Sequence, residues 1–304
     1  MSSKWFAIVN PISGRGKSLK ELHKLQQLFI KYDTEVIFEV TSYAHHEQIL
    51  VQNAIERGFT KIISIGGDGT LHHVINGIMT QKLVETSKIT VAVIPFGTGN
   101  DWVKTYKVPK NRKKSILHIL NEKTIYQDIG EAKIASNNKK IFFNNAAGVG
   151  FDAFVVQKIS ALKTLGAIGY LLGAILSFIS YTTSKVKVTL DENSIELPLF
   201  MLSIGICRYS GGGMQLTNYK NHKNGFFDVT LMRNILLLKV ILQIKYLFNG
   251  NLKHFKEVQT FQNKQIKVEI KDTKIPFIQA DGEIIGSGDV EFNLCKNAIQ
   301  FVIT

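Results

Sequence analysis

The 304-residue chain holds only two cysteines, Cys207 and Cys295. They are far apart and have no C-x-x-C pairing or Cys/His company. A zinc site and a disulfide framework are therefore disfavoured, and a reducing cytoplasm fits. Acidic residues are also few: 24 Asp and Glu against 37 Lys and Arg leave a net charge of +13. Such a surface attracts nucleotide phosphates, nucleic acid or an anionic membrane leaflet, and it also serves solubility. The chain lacks an RNA-recognition signature, a zinc finger and a Lys/Arg-rich tail, so no nucleic-acid partner is expected. No targeting signal is read at the start. The apolar run Lys4–Val9 is too short for a signal core, and Asn10-Pro11 interrupts it. Long apolar runs are nearly absent. The one exception, Leu165–Tyr181, would reach roughly 25 Å as a helix, short of the ~30 Å hydrocarbon core. Gly166, Gly169 and Gly173 weaken it further, and Lys163, Lys185 and Lys187 flank it. A buried or interfacial helix is expected there. No H-E-x-x-H pair and no His/Asp/Ser order occurs, so His45, His46, His72 and His73 are not read as metal or triad residues.

What is present begins as an alternation. Trp5–Val9, Thr34–Val40, Lys61–Ile65 and Thr90–Ile94 read as strands. Ser18–Tyr32, His45–Arg57 and Leu71–Met79 read as helices between them. That alternation predicts an α/β domain, a parallel sheet flanked by helices on both faces. After about Asp128 the pattern turns to strands: Ile141–Asn145, Lys185–Leu190, Leu199–Cys207, Asp228–Met232, Lys264–Ile270, Val290–Leu294 and Ile299–Ile303. A basic helix near Leu236–Phe248 and the apolar helix near residue 170 interrupt them. The expected division is a first domain over 1–128 and a β-rich domain over 129–296. No Pro/Gly/Ser linker, internal repeat or low-complexity tract marks the boundary.

Four loops carry chemistry. The strand Lys61–Ile65 runs into Gly66-Gly67-Asp68-Gly69-Thr70 and then a helix. Glycines let backbone N–H groups approach a phosphate, and the helix amino terminus adds partial positive charge. Asp68 in such a loop suits a hydroxyl or a phosphate-bound Mg²⁺; a tight turn with Asp68 as helix cap remains open. Pro95-Phe96-Gly97-Thr98-Gly99-Asn100-Asp101 ends the next strand in the same style, where ligands of parallel sheets gather. Its Asn100 and Asp101 equally suit a cap for the helix starting near Trp102. Asn10-Pro11-Ile12-Ser13-Gly14-Arg15-Gly16-Lys17 is P-loop-like in composition but lacks the G-x-x-x-x-G-K-[ST] spacing. Ser13, Gly14 and Lys17 are phosphate candidates there, with a bare turn as the alternative. Last, Ala280-Asp281-Gly282-Glu283 offers carboxylates for proton transfer from an attacking hydroxyl. Asp-Gly is also an ordinary hairpin turn.

Together these motifs resemble the diacylglycerol kinase-like lipid kinases, the bacterial family related to sphingosine kinases. NPISG, GGDGT, PFGTGND, the segment Asn144–Asp152, Gly211–Met214, Asn224–Val229 and DGE stand in family order over nearly the whole chain. The resemblance implies an N-terminal nucleotide-binding domain, a C-terminal β-sandwich, an active site in the cleft between them, and a last strand, 297–304, that returns to the first domain. It implies ATP contacts at Asn10, Pro11, Ile12, Ser13, Gly14, Thr41, Gly66, Gly67, Asp68, Gly69, Thr70, Leu71, His72, Gly97 and Thr98. Glu283 matches the proton acceptor, with Asp281 beside it and Asp68 near the transferred group. A structural Mg²⁺ is implied at Asn221, Asn224 and Phe226. Here Asn224 stands where the family usually has Asp, beside Lys223, which removes a hard anionic ligand. The expected reaction is phosphoryl transfer from Mg-ATP to a lipid hydroxyl, most simply that of diacylglycerol. A NAD kinase, a sphingoid-base kinase and a non-catalytic membrane-binding relative are the alternatives. The implied partner is a lipid at the inner face of the membrane, for a cytoplasmic, peripheral protein. A homodimer is left open.

Overall fold

The computed structural model describes residues 4–97, 99–159, 177–218 and 225–303. The chain divides into two compact units, Met1–Ile129 with Lys296–Thr304, and Gly130–Cys295.

The first unit contains β1 (Trp5–Val9), α1 (Lys17–Lys20), α2 (Leu22–Lys31), β2 (Val36–Val40), α3 (His46–Glu56), β3 (Lys61–Gly66), α4 (Asp68–Thr80), β4 (Thr90–Pro95), α5 (Asp101–Thr105) and α6 (Arg112–Leu120). The strands lie in the order β2-β1-β3-β4, and Gln300 and Phe301 pair with Thr90 and Val91 at the outer side of β4. Every one of these pairings is parallel. All five residues of β1 are buried, as a parallel strand covered on both faces requires. Trp5, Ala7, Val9, Ile63, Ile65, Ala92 and Ile94 share a cluster with Leu25 and Phe29 of α2 and Ile116 and Ile119 of α6. Each fully buried Ile, Leu or Phe contributes roughly 1.5–3 kcal/mol. Strand alternation sends Phe6, Ile8 and Ile62 to the other face. There α3 and α4 pack on each other and on β1 and β3. The connection from β1 to β2 thus runs over one face and that from β2 to β3 over the other. The boundary between β1 and β3 is a topological switch point, where the carboxyl ends of the strands leave a crevice for ligands.

The second unit is antiparallel. After β5 (Thr124–Ile134) come β6 (Lys140–Phe143), β7 (Ala146–Gly150), α7 (Phe151–Ile159), β8 (Ser184–Leu190), β9 (Asn193–Gly205), β10 (Phe227–Arg233), α8 (Leu237–Asn249), β11 (Val258–Asn263), β12 (Gln265–Ile270), β13 (Phe277–Ala280), β14 (Glu283–Ser287) and β15 (Val290–Val302). Strand β9 is long enough to serve two neighbourhoods. Its first half pairs with β8, and its second half pairs with β7 and β10. From β8 the pairing continues to β12 and the first half of β15. From β7 it continues to β13 and β14. The two sets form a β-sandwich. Phe143 stacks on Phe227 at 5.8 Å between ring centroids and meets Phe292 edge-on at 6.2 Å. A side chain at Gly130 would collide with the Phe143 ring.

Several elements depart from the sequence reading. The helix expected over Ser18–Tyr32 breaks at Glu21 into α1 and α2. Strands β5, β7, β11, β13 and β14 and helix α7 were not expected. The apolar helix expected at Leu165–Tyr181 lies outside the described residues apart from Ser177–Tyr181. Among the described residues no helix is long and apolar enough to cross a membrane.

Candidate functional site

Three loops of the first unit leave the carboxyl ends of β1, β3 and β4. At the end of β1 the chain turns sharply. The Asn10 N–H donates to Ile65 O at 3.0 Å, tying this turn to β3. The Asn10 side chain spans the crevice edge: Nδ2 donates to Glu47 Oε1 at 3.2 Å, and Oδ1 accepts from the Ile12 N–H at 3.2 Å. Glu47 is a buried carboxylate in the first turn of α3 whose pKa is raised by desolvation. The sequence reading passed over it. Asn10 therefore shapes the loop as much as it lines it. Ser18 Oγ donates to Asn10 O, and Gly14 adopts φ +61°. A Cβ at Gly14 would lie 2.5 Å from Phe96 O, so only glycine lets the first loop sit this close to the third. Ile12 and Lys17 are exposed.

The GGDGT loop feeds straight into α4, which starts at Asp68. Leu71, His72 and Thr70 turn their side chains into the protein, and the Asn76 amide Nδ2 donates to His72 O at 2.8 Å. What Leu71 and His72 offer a ligand is backbone in the first turn of a 13-residue helix, the positive end of its dipole. Asp68 Oδ2 accepts from the Asp101 N–H at 3.1 Å. Asp68 thus holds the start of α5, while its carboxylate stays partly exposed.

The third loop is pressed against the second. A Cβ on Gly97 would fall 2.7 Å from Gly67 Cα and 2.5 Å from Asn100 Oδ1. Asn100 is buried, left-handed at φ +50°, and its Nδ2 donates to Gly97 O. Arg112, unnoticed in the sequence, anchors the strand end beneath. Its Nη1 donates to Pro95 O at 2.9 Å, its Nε meets Glu21 Oε2 at 2.7 Å, and its guanidinium lies 3.6 Å from the Phe96 ring centroid. Thr98 lies outside the described residues.

Thr41, at the end of β2, is buried, with its N–H on Val9 O at 2.9 Å. Beside it His45 Nδ1 and His73 Nε2 are 3.0 Å apart, linking the starts of α3 and α4. Burial, with His72 and His45 nearby, pushes His73 down to about 3, so it is neutral at physiological pH. The amino termini of α3 and α4 therefore stand side by side at the carboxyl edge of the sheet.

In the second unit, Ala280-Asp281-Gly282-Glu283 is the turn between β13 and β14. Ala280 pairs with Glu283, and Asp281 and Gly282 have φ +50° and +81°. Both central residues are left-handed, as a two-residue type I′ hairpin demands. The hairpin reading and the site reading are thus both satisfied. The Asp281 carboxylate accepts three backbone N–H bonds, from Asn144 at 3.1 Å, Asn145 at 2.9 Å and Ala146 at 3.1 Å. Asp281 is a clamp on the strand start of β7. Glu283 is half-buried, and none of the described residues hydrogen-bonds or pairs with its carboxylate.

Two further residues shape this turn. Gln279 accepts from the Gly282 N–H at 2.9 Å and donates to Asp152 Oδ2 at 3.1 Å. Asp152 packs over Gly148, where a side chain would collide with its carboxylate. Desolvation pushes Asp152 up to about 6, against the lowering effect of the Gln279 bond. The sequence reading had Asp152 only as part of a motif; its signal was a carboxylate at the start of a helix just after a run of small residues.

Magnesium is implied by phosphoryl transfer. Mg²⁺ with a nucleotide needs only one or two carboxylates, since phosphates and waters fill its octahedron. Asp68, at the carboxyl end of β3 and partly exposed, fits that need. The expected structural site does not receive the same support: Asn221 and Asn224 lie outside the described residues. Phe226 is exposed, with the Lys264 ammonium 5.1 Å from its ring centroid. Among the described residues, no group of three or more His, Cys, Asp or Glu is arranged to hold a metal.

Comparison with known proteins matches both units. The family model of the diacylglycerol kinase catalytic domain covers residues 4–132. That of the YegS C-terminal NAD kinase beta sandwich-like domain covers residues 145–303. YtlR of Bacillus subtilis (strain 168) is 26% identical over 299 residues, 94% of each chain. A diacylglycerol kinase of Mycobacterium tuberculosis (strain ATCC 25618 / H37Rv) is 25% identical over 297 residues, 97% of this chain and 93% of its own. A crystal structure from Bacillus anthracis str. Sterne superimposes with a TM-score of 0.79 at 23% identity, over 99% of this chain and 97% of that one. At that identity the likeness establishes the fold.

Proposed function

We propose, since this chain belongs to the diacylglycerol kinase-like family of bacterial lipid kinases, that it transfers the γ-phosphoryl group of ATP to the free hydroxyl of a diacylglycerol. That it is a lipid kinase follows from membership. The choice of diacylglycerol is supported by relatives that bear that name. The observation that carries the mechanism is the convergence of three glycine-bearing loops at the β1/β3 switch point, beside the amino termini of α3 and α4.

Phosphoryl transfer asks little covalent chemistry of a protein and much positioning. The loops at Asn10–Gly14, Gly66–Thr70 and Gly97 approach the phosphates with backbone N–H groups. Close contacts at Gly14, Gly67 and Gly97 fix their shape. Asp68 is the group that would hold a nucleotide-bound Mg²⁺, directly or through water; the ion supplies charge neutralisation on the transferring phosphoryl. Glu283 accepts the proton of the attacking hydroxyl. The new O–P bond forms as the bond from the γ-phosphorus to the β,γ-bridging oxygen breaks, and ADP leaves with that oxygen. Asp281 holds the turn that presents Glu283 and does not itself take the proton, since its oxygens are committed to Asn144, Asn145 and Ala146.

The test is to incubate the protein with γ-labelled ATP and Mg²⁺ against diacylglycerol, a sphingoid base and NAD in separate reactions. Labelled phosphatidic acid is the expected product. Label on the sphingoid base or on NAD would replace the acceptor. No transfer, together with no Mg-ATP binding in calorimetry, would support a non-catalytic membrane-binding protein.

A further inference from the structure

Helix α8 presents an unusual outer face. Its inner side is well seated: Tyr246 and Leu247 pack against the cluster of Phe200, Met201, Met232, Ile235 and Phe255. Lys239 is bound to Glu257 by two short contacts at 2.5 and 2.7 Å. The opposite side carries Leu238 and Leu242, 66% and 71% exposed, one helical turn apart. Lys245 continues the same stripe. Leu236 at the amino end and Phe248 near the carboxyl end extend the apolar surface at 76% and 50% exposure. Single exposed leucines are ordinary on proteins, but three large apolar side chains on one short helix, with Leu236 just before it, need an occupant.

The surrounding charge says which occupant. From Val229 to Lys256 the chain contains no Asp or Glu, while Arg233, Lys239, Lys245, Lys253 and Lys256 are basic. Glu257, the acidic residue that follows this stretch, is paired with Lys239. An apolar stripe edged by the remaining cations matches the headgroup boundary of an anionic bilayer. Lys245 lies with its ammonium 5.1 Å from the Tyr246 ring centroid. A lysine's long aliphatic stem lets a helix sink its leucines while the ammonium reaches phosphate level. A second protein copy would have to cover the leucines while accommodating this excess of positive charge, which an anionic lipid surface complements.

We infer that the outer face of α8, centred on Leu238, Leu242 and Lys245, is an interfacial docking surface for anionic phospholipid bilayers. This rests on the lipid-kinase reading, because the acceptor resides in a bilayer. It adds the surface by which the enzyme reaches that bilayer.

The experiment uses the full-length protein without nucleotide, sedimented with phosphatidylcholine vesicles that contain or lack phosphatidylglycerol. The variants are Leu238→Asn/Leu242→Asn together and Lys245→Gln; all three side chains are exposed, so melting temperatures should match wild type. Wild type is expected to partition onto the phosphatidylglycerol vesicles. The double variant should lose at least about tenfold of that partition, and Lys245→Gln about fivefold, as one near-surface cation implies. Unchanged partition of the double variant would overturn the inference. So would size-exclusion chromatography in which it dissociates a dimer while keeping its vesicle binding. Because no turnover is read, failure to phosphorylate diacylglycerol would sink the acceptor assignment and leave this result standing. In a second arm, the double variant should raise the apparent KM for vesicle-borne diacylglycerol but leave kcat on a monomeric short-chain diacylglycerol unchanged. Equal loss on both substrates would contradict the docking role.

Discussion

Replacing Asp281 with asparagine separates holding from catalysis in the DGE turn. Asparagine tolerates the left-handed φ of +50° at this position, so the hairpin itself survives. The side chain keeps one oxygen, which can still accept from Asn145 and Ala146, now 2.9 and 3.1 Å from Oδ1. The other atom becomes an NH₂ facing the Asn144 N–H, which presently bonds Oδ2 at 3.1 Å. One charge-assisted bond is lost and two donors are opposed. Hydrogen bonds to charged groups are worth about 1.5–3 kcal/mol each, and the two that remain lose their charge assistance. Partial exposure lets water compensate some of this, so a loss of about 2 kcal/mol is expected. For a unit of this size that is a fall of roughly 4–8 °C in its melting temperature. Differential scanning calorimetry, with and without Mg-ATP, measures it. A melting temperature within about a degree of wild type would refute the clamp, since Asp281 would then be contributing nothing to the fold.

Two other perturbations address the remaining parts of the site. Gly97→Ala forces a methyl group onto Gly67 Cα and Asn100 Oδ1. Overpacking of about 1–3 kcal/mol should weaken ATP binding in calorimetry by about tenfold or more, and wild-type affinity would show that the two loops need not touch. Asp152 has a folded pKa of about 6 against an ordinary value of 3.8. The folded state keeps a proton that the unfolded chain has already lost, so the stability this group gives is full below pH 3.8 and disappears as pH rises through about 6. Asp152→Asn can still accept from Gln279, gives up the bond from the Ala153 N–H to Oδ1, and removes the cost of the buried charge. It should stabilise the protein by about 2–3 kcal/mol at neutral pH, by about half of that near pH 5, and by little below the unfolded value of 3.8. Denaturant midpoints at these pH values check the sign, and an Asn variant less stable at neutral pH would reverse it.

The parallel sheet was legible because its strands are short apolar runs punctuated by glycine loops. The parallel sheet covered by helices on both faces predicts buried strands, and β1, β3 and β4 are buried apart from Lys61 and Thr90 at the starts of β3 and β4. The turns at Asn10–Gly14, Gly66–Thr70 and Gly97 were legible as turns for the same reason, since glycine and Asn punctuate the ends of apolar strands. What the sequence hid were residues whose part depends on distant partners. Glu47 meets Asn10 across 37 positions, Arg112 meets Glu21 across 91, and Asp281 meets Asn145 across 136. No local period encodes such pairs. Strands β13 and β14 escaped because they are short and separated by only two residues, so the Asp-Gly signal read as a turn without its flanks. Leu71 and His72 show the converse. A motif suggested contact, while helical geometry turns their side chains inward and leaves only their backbone at the ligand edge.

The most direct measurement compares wild type with Glu283→Gln in the formation of labelled phosphatidic acid from γ-labelled ATP, Mg²⁺ and diacylglycerol. Among the described residues nothing bonds the Glu283 carboxylate, so the variant should melt at the wild-type temperature and bind Mg-ATP with wild-type affinity. Losing the proton acceptor should cut kcat by about 100-fold or more. Phosphatidic acid formed by wild type and nearly lost in the variant is the predicted result. A Glu283→Gln enzyme that turns over at the wild-type rate would contradict it.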